Sequence, residues 1–392
     1  MKEIYFDNSA TTKVSEKAAN AAYRAMTENY GNPSSVHSRG AAAFHELNEA
    51  RGVFAKCLNV SADELYFTSC GTESDNIVVQ GAGKSRGKQG RIIVSSVEHP
   101  AVYEPAKRLV SQGCDVRFID VDKNGIIDLD MLESLLTDDT ALVSIMHVNN
   151  ETGAIQPLSE AGKLIRSKAP LALFHVDAVQ SFGRLPISVA DWQIDALSIS
   201  GHKIHAPKGI GMLWLRKERN FPPLMFGGGQ ERGFRSGTEN MSGIMAFAVA
   251  AGDCYADMPK YYAGMQQVKD TLCQTLQKLV PDCLVNGAVG DKGAAHILNM
   301  SFPGIRSEVM LHSLESKGLF VSAGSACTSK SSKGSRILAA MGLPESQIDS
   351  AIRFSFSRYN TVDQARAAAD IIAETIDELS LVKQLGKRKR RN

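Results

Sequence analysis

Short apolar segments alternate with helical patterns through the first 216 residues, and this alternation limits the folds open to the chain. Strand-like runs lie at residues 64–69, 91–96, 115–119, 141–146, 171–176, 195–200 and 212–216. Helical patterns lie between most of them, and also over residues 14–30 and 40–58. Strands joined through helices need crossover connections, which predicts an α/β fold with a mainly parallel sheet. Ligands of such sheets bind at the carboxyl ends of the strands.

The pattern changes after residue 251, and the length of 392 residues also predicts more than one compact unit. A long helix near residues 257–279 is followed by short strands at 297–302 and 320–322 and by a helix at 361–383. This order is typical of a smaller α+β unit. We predict a large domain over residues 15–255, a small domain from residues 1–14 and 256–386, and a basic tail at 387–392.

Charge and cysteine content exclude several classes of protein. The formal charge is +2, but five positive charges lie in residues 387–391, so the remainder carries −3 and no general nucleic-acid surface is predicted. The seven scattered cysteines include no Cys-x-x-Cys pair, which argues against a disulfide framework and a zinc ribbon, and no metal site is predicted. Reduced thiols favour a cytoplasmic protein. We expect neither a signal peptide nor a membrane span.

A lysine follows the apolar run at residues 195–200, in the sequence Ser-Gly-His-Lys that ends at Lys203. Burial disfavours the charged form of an amine and lowers its pKa. A neutral amine is a nucleophile that can form a Schiff base. An ordinary surface lysine is the competing interpretation, and Lys208 is a second candidate in the same loop.

Other polar residues also follow predicted strands. Thr72 lies in a glycine-containing turn that opens a helix, a place where backbone amides bind anions. Asp177 ends an apolar strand, with Gln180 three residues later, and a carboxylate there needs a cation such as a pyridinium nitrogen. His99 is a candidate acid or base. Each of these residues also has a purely structural interpretation, as a helix cap, an ion pair or a buried histidine.

Two further segments bear reactive or cationic groups. Cys327 lies in a Ser/Gly-rich run at residues 322–335 that also contains Lys330 and Lys333, which predicts an exposed loop and a thiol with thiolate character. Arg353 lies in an apolar strand, where its guanidinium suits a carboxylate. A cysteine on a flexible arm indicates transfer of a group between two places.

Taken together, these motifs resemble those of cysteine desulfurases, which are pyridoxal-phosphate enzymes related to class V aminotransferases. The resemblance runs over nearly the whole chain through residues 7–12, 31–35, 98–100, 147–153, 200–203, 235–238, 324–328 and 353–355. The long loop around Cys327 is similar to the NifS/IscS-like branch. The resemblance implies fold type I of the pyridoxal-phosphate enzymes. Cys70 stands where the family often has glycine.

The resemblance implies a role for each matching position. Lys203 would hold pyridoxal 5'-phosphate, and Cys327 would receive the sulfur. Asp177 would pair with the pyridine nitrogen and Gln180 with the phenolic oxygen. His99 would stack on the ring and help to move protons. The phosphate would be held by Thr72, Ser200, His202 and Thr238 of the partner subunit, and the substrate carboxylate by Asn150 and Arg353.

The implied reaction removes sulfur from L-cysteine, leaves L-alanine and a persulfide on Cys327, and passes the sulfur to an acceptor protein. The acceptor stays open between iron–sulfur cluster assembly and tRNA thiolation, and a homodimer is expected. A selenocysteine lyase or a class V aminotransferase would share Lys203, Asp177 and His99 without needing Cys327. A non-catalytic sulfur-relay or RNA-associated scaffold that uses the basic tail at 387–391 is the remaining alternative.

Overall fold

A computed structural model describes residues 3–85, 90–217, 219, 222–323 and 334–389. Its helices are α1 (Glu16–Thr27), α2 (Ser38–Leu58), α3 (Gly71–Ser85), α4 (Pro100–Ser111), α5 (Leu129–Leu135), α6 (Leu158–Lys168), α7 (Met241–Ala256), α8 (Met258–Leu279), α9 (Ser307–Ser316), α10 (Arg336–Ala340), α11 (Glu345–Ile348) and α12 (Val362–Lys389). Within these residues, no helix is both long and apolar enough to cross a bilayer.

The strands form one large and two smaller sheets. They are β1 (Ile4–Tyr5), β2 (Leu65–Thr68), β3 (Arg91–Ser95), β4 (Val116–Ile119), β5 (Thr140–Ser144), β6 (Leu173–Asp177), β7 (Ala196–Ser200), β8 (Gly211–Leu215), β9 (Leu284–Asn286), β10 (Ile297–Ser301), β11 (Leu319–Phe320), β12 (Ser322–Ala323) and β13 (Ala351–Ser355). The large sheet has the order β2-β8-β7-β6-β5-β3-β4.

The large sheet is mainly parallel, as the alternation of strands and helices predicts. Strands β4, β3, β5, β6 and β7 pair in parallel, and only β8 runs against its neighbours β7 and β2. All residues of β5, β6 and β7 are buried, because helices cover both faces of a parallel sheet. The α/β fold class is therefore confirmed.

Alternate residues of the central strands supply two separate cores. Val143 and Phe174 face the larger core, where Phe54 of α2 and Phe247 of α7 pack with ring centroids 4.6 Å apart. Leu142, the neighbour of Val143, faces the other core with residues of α3 and α4. Because successive side chains of a strand point to opposite faces, one apolar run serves both layers.

A second sheet lies in the C-terminal part and is antiparallel, with the order β12-β13-β10-β9. Its core is shared by α8, α9 and α12 and includes Ile4 and Phe6 from the N-terminal segment. Strand β1 pairs in parallel with β11. The single strand predicted at residues 320–322 is wrong, since β11 and β12 belong to two different sheets. The proposed domain boundaries stay a prediction.

Two helical glycines give opposite expectations for replacement by alanine. A Cβ atom on Gly162, in α6, would lie 2.1 Å from the carbonyl oxygen of Trp192, whereas a Cβ atom on Gly52, in α2, would meet nothing within 4 Å. We predict that Gly162→Ala lowers the free energy of unfolding by about 2 kcal/mol or more, because the backbone must move. Gly52→Ala should raise it by about 1 kcal/mol through helix propensity. Urea unfolding measures both, and equal effects of the two replacements would contradict this account.

Candidate active site

The carboxyl ends of β2, β3, β5, β6 and β7 lie at the same edge of the large sheet and surround one cavity of about 380 Å³. The cavity is lined by Asp7, Ser9, Ala10, Cys70, Gly71, Thr72, Asp75, His99, Met146, Asn150, Asp177, Val179, Gln180, Ser200, His202, Lys203, Ser322 and Arg353. Nine of the site residues predicted from the sequence are thus brought together from positions 72 to 353.

Lys203 ends a short 3₁₀ turn (Gly201–Lys203) that follows β7. Its Nζ atom donates hydrogen bonds to the carbonyl oxygens of Ser9, at 2.5 Å, and Ala10, at 2.8 Å. Burial first, and then the charges of the neighbouring Arg353 and Arg184, lower the pKa of Lys203 to about 7. A large fraction of the amine is therefore neutral at neutral pH, as a Schiff-base lysine requires.

Asp177 is the last residue of β6, and its Oδ1 atom accepts a hydrogen bond from the amide of Val179 at 2.8 Å. Burial raises the pKa of Asp177 to about 6, and this rise exceeds the lowering effects of the Val179 amide and of Lys203. Two more carboxyl groups, those of Asp75 and Glu98, are fully buried nearby. Burial first, and then the charge of Asp177, raises the pKa of each well above its usual range. Of the three, Asp177 is thus the carboxyl group that most readily carries the negative charge.

His99 caps the N-terminus of α4, and its Nδ1 atom accepts a hydrogen bond from the amide of Ala101 at 3.1 Å. A ring nitrogen that accepts this bond has no proton, so the neutral imidazole presents an Nε2–H donor. Burial lowers the pKa of His99 to about 4, with a further contribution from Lys203. The ring is therefore neutral at neutral pH.

One end of the cavity has the features of an anion site. It lies at the start of α3, a 15-residue helix whose first residues Gly71 and Thr72 line the cavity, so backbone N–H groups and the helix dipole favour negative charge there. The Oγ atom of Ser200 is buried without a hydrogen-bond partner in the described residues. His202 lies beside it, with Nδ1 3.3 Å from the hydroxyl oxygen of Thr11. An oxyanion would satisfy these donors.

Gln180 is held from two sides. Its Nε2 atom donates to the carbonyl oxygen of Ser9 at 3.1 Å, and its Oε1 atom accepts from Nη1 of Arg184 at 3.0 Å. An amide nitrogen has two N–H groups, so one donor remains for a molecule in the cavity.

Arg353 projects from β13 of the second sheet, so residues of the large sheet and of the second sheet both line the cavity. Its Nη2 atom lies 2.8 Å from Oδ1 of Asp7, and its Nη1 atom donates to the carbonyl oxygen of Asn150 at 3.0 Å. The side-chain oxygen of Asn150 is buried without a partner in the described residues. The guanidinium at this wall suits a small carboxylate, and the amide oxygen of Asn150 suits a donor group of the same molecule.

Two predicted positions in the described part of the chain are not part of this cavity. Thr238 does not line it in the single chain, and neither does Lys208, which is exposed in the loop between β7 and β8. Cys327 lies outside the described residues. The choice of Lys203 over Lys208 as the amine of the site therefore agrees with the geometry of the described chain.

Four charged residues at or beside the cavity have no role predicted from the sequence, namely Asp7, Asp75, Glu98 and Arg184. Asp7 was visible only as part of the stretch at residues 7–12, and its pairing with Arg353 spans 346 positions in the chain. Asp75 and Glu98 lie close in sequence to Thr72 and His99, but their full burial arises only from the packing of the sheet. A single arginine such as Arg184 carries no signal in the sequence.

Comparison with known proteins agrees with this geometry. Residues 4–367 match the family described as Aminotransferase class-V. The protein named "Cysteine desulfurase" from Trichormus azollae is 43% identical over 379 residues, covering 97% of this chain and 94% of the relative. A solved structure named "NIFS-LIKE PROTEIN" is 36% identical with a TM-score of 0.90, covering 96% of this chain and 100% of the other.

A second solved structure, named "SspA in complex with cysteine", is 32% identical with a TM-score of 0.80 and covers 92% of this chain and 100% of the other. The similarity thus extends over the large sheet, the second sheet and every strand that borders the cavity. The sequence similarity, the fold similarity and the meeting of nine predicted site residues in one cavity all indicate the same family. This chain belongs to the aminotransferase class-V family and, within it, to the cysteine desulfurases.

Proposed function

We propose that this chain is a pyridoxal-phosphate-dependent cysteine desulfurase. It takes sulfur from L-cysteine, releases L-alanine and holds the sulfur as a persulfide on Cys327 for an acceptor protein. The observation that carries the proposal is the convergence of Lys203, Asp177 and His99 on one cavity that also contains an anion end and a carboxylate end. The relative named cysteine desulfurase and the solved relative in complex with cysteine support the choice of substrate.

The donor set of the cavity fits pyridoxal 5'-phosphate. The orphaned hydroxyl of Ser200 and the start of α3 would hold the phosphate together with Thr72 and His202. Asp177 would face the pyridine nitrogen, and the free N–H group of Gln180 would face the phenolic oxygen. The neutral amine of Lys203 would bind the cofactor covalently. When bound, the cofactor acts as an electron sink for a negative charge at Cα of the substrate.

Lys203 and His99 would handle protons at neutral pH. With a pKa of about 7, the free amine of Lys203 would serve as a base for the proton on Cα of the substrate. The Nε2–H group of His99 would supply a donor on the same side of the cavity.

Arg353 and Asn150 would orient the substrate through its carboxylate. Arg353 already lies against Asp7, so substrate would exchange with or add to that pair. The unpartnered side-chain oxygen of Asn150 would be satisfied in the same step by the amino or hydroxyl groups that enter the cavity. Fixing the carboxylate at β13 aims the rest of the amino acid at Lys203.

The sulfur step balances between two thiols. The Cys327 thiolate attacks the sulfur of the bound cysteine, the Cβ–S bond breaks and an S–S bond forms. The carbon that loses sulfur is reduced to the methyl group of alanine, and the two sulfur atoms are oxidised to a persulfide. The proton given up by the thiols ends on carbon, so no outside oxidant is needed. A thiol of the acceptor protein then takes the terminal sulfur by exchange.

A second copy of the chain would complete the site. Large apolar side chains are exposed on α1 (Tyr23 at 61%), directly after it (Tyr30 at 62%), on α2 (Phe44 at 55%) and after β8 (Phe226 at 83%). Exposed apolar surface is typical of protein–protein interfaces. We propose that a homodimer covers them and brings Thr238 of the partner subunit to the phosphate.

The compartment and the acceptor are also proposals. The cysteines of the described residues, Cys57, Cys70, Cys114, Cys254, Cys273 and Cys283, are all free, which supports a reducing compartment, the cytoplasm. The acceptor would be a thiol-bearing protein of iron–sulfur cluster assembly or of tRNA thiolation.

We predict that Cys327→Ala keeps the absorbance of the bound cofactor but loses persulfide and alanine production, because no thiol takes the sulfur. Mass spectrometry of the 327 peptide after addition of L-cysteine, together with an alanine assay, measures this. Cys114→Ala, which removes a half-buried thiol beside the second core of the large sheet, is the control and should retain turnover. Full alanine production by Cys327→Ala would contradict the assignment and favour an aminotransferase or a lyase.

Lys203→Ala should abolish the near-ultraviolet and visible absorbance of covalently bound cofactor, because no other amine among the described residues lines the cavity. Borohydride treatment followed by peptide mapping locates the attachment in the unmodified chain. Lys208→Ala is the matched control and should leave the spectrum unchanged, since Lys208 is exposed. Attachment at Lys208 would overturn the proposed role of Lys203.

Replacement of Arg353 by lysine should weaken substrate binding while retaining the positive charge. An ammonium group cannot form the two parallel bonds that a guanidinium makes with a carboxylate, which costs about 1.5–3 kcal/mol. We therefore expect KM for L-cysteine to rise about tenfold to a hundredfold, with a smaller change in kcat. Steady-state alanine production measures both constants. A fall in kcat at constant KM would argue against carboxylate binding by Arg353.

A further inference from the structure

Arg184 is a buried cation that bonds to two residues of the cavity wall and pairs with no carboxylate in the described part of the chain. Its side chain is enclosed, and the residue is only 6% exposed. Nη1 donates to the main-chain oxygen of Gln180 at 3.2 Å and to its side-chain oxygen at 3.0 Å. Nη2 donates to the main-chain oxygen of Lys203 at 2.7 Å. Buried arginines are rarely retained without an ion partner, so this placement needs an explanation.

The first consequence concerns the Gln180 amide. Because the guanidinium has only donors, it can accept no bond from an amide N–H group. The amide is therefore oriented with its oxygen toward Arg184 and its nitrogen toward Ser9 and the cavity. If the amide were flipped, its N–H groups would face the N–H groups of Arg184, and no hydrogen bond could form between them. Arg184 thus determines that Gln180 offers the cavity a hydrogen-bond donor.

The second consequence concerns the charge around Lys203. The groups that act on its amine are the cations Arg353 and Arg184 and the carboxylates Asp7 and Asp177, with the neutral rings of His99 and His202 close by. Arg353 is compensated by Asp7 at 2.8 Å. Arg184 has only carbonyl partners, so its field is not cancelled locally.

The other groups that face Arg184 do not supply a negative charge either. Burial lowers the pKa of His202 and His205 to about 4 and that of His296 still further, and the Arg184 charge adds to each effect. Burial raises the pKa of the Cys254 thiol to about 11, so the thiol keeps its proton. The positive charge of Arg184 is therefore felt at Lys203.

We propose that Arg184 is a positioning residue of this site: its guanidinium fixes the orientation of the Gln180 amide and the main chain of Lys203, and it places an uncompensated positive charge beneath the Lys203 amine. The inference rests on the proposed function only in treating this cavity as the cofactor site. The charge favours the neutral amine, and the bonded amide faces the oxygen that Gln180 would meet. One side chain therefore acts on two groups without contacting substrate or cofactor.

The charge is tested on the full-length chain without cofactor or cysteine. Formaldehyde and cyanoborohydride methylate neutral amines, and mass spectrometry of the Lys203 peptide follows the reaction between pH 6 and 10. In the chain without substitutions, methylation of Lys203 should reach half of its maximal rate at a pH of about 7. Arg184→Met should raise the midpoint by about one pH unit, whereas Arg184→Lys should leave it unchanged. An unchanged midpoint in Arg184→Met would overturn the electrostatic part.

Lys269→Met is the matched control. Lys269 is another buried cation with a carbonyl partner, the oxygen of Ala294 at 2.8 Å, and it contacts neither Gln180 nor Lys203. This variant should leave the Lys203 midpoint unchanged, and an equal shift would show that removal of any buried cation has the same effect. If circular dichroism shows that Arg184→Met does not fold, Arg184→Gln, which is also neutral, takes its place in the same titration.

The orientation of the amide is tested by binding of pyridoxal 5'-phosphate, followed by its absorbance. The guanidinium reaches Gln180 through Nη1 and Lys203 through Nη2, whereas an ammonium group has a single nitrogen for both partners. Arg184→Lys and Arg184→Met should therefore both bind the cofactor about tenfold more weakly. Unweakened binding by Arg184→Lys would overturn the positioning part. The methylation midpoint is read without cofactor or turnover, so it can shift as expected even if the chain has no desulfurase activity.

Discussion

Dehydration of the Lys203 amine is the condition on which the rest of the site depends. The lysine follows a strand whose five residues are all buried, and its Nζ atom is bonded to the carbonyl oxygens of Ser9 and Ala10. Water cannot stabilise the charged form there, so the pKa falls to about 7. Asp177 is also buried and supplies a negative charge near the amine. The positive charge of Arg353 is balanced by the carboxylate of Asp7, with which it forms an ion pair. The protonation states of the groups in the cavity follow from the positions of these four side chains.

The parallel sheet is what makes this balance achievable. Because the strands around the cavity run in the same direction, the residues that follow them emerge at one edge, although they lie far apart in the chain. Strand β13 of the second sheet adds Arg353, and the N-terminal segment adds Asp7 and two carbonyl oxygens. A cavity built between two cores in this way can hold a cofactor on one sheet and a substrate carboxylate on the other. Separate sites for a cofactor and for a substrate carboxylate are what a cofactor-dependent desulfurase needs.

Much of this arrangement was predictable. Apolar runs separated by helices indicated the parallel sheet, because a crossover connection leaves few alternatives. Polar residues directly after those runs indicated Thr72, His99, Asn150, Asp177 and Lys203 as one site, and the structure brings all five to the same cavity. The division of residues 319–323 between two sheets was missed, since a chain can leave one sheet and enter another without any change in hydrophobic pattern.

The sequence by itself determined the fold class, the family and the residue types of the site, because periodicity and motif order are properties of the linear chain. Only the tertiary structure decided which groups are charged and how they face one another. The burial of Asp75 and Glu98, the pairing of Asp7 with Arg353 and the position of Arg184 under Gln180 depend on contacts between distant segments and on exclusion of water. Hydration free energy is set by the packed surroundings, so no local pattern of residues can encode it.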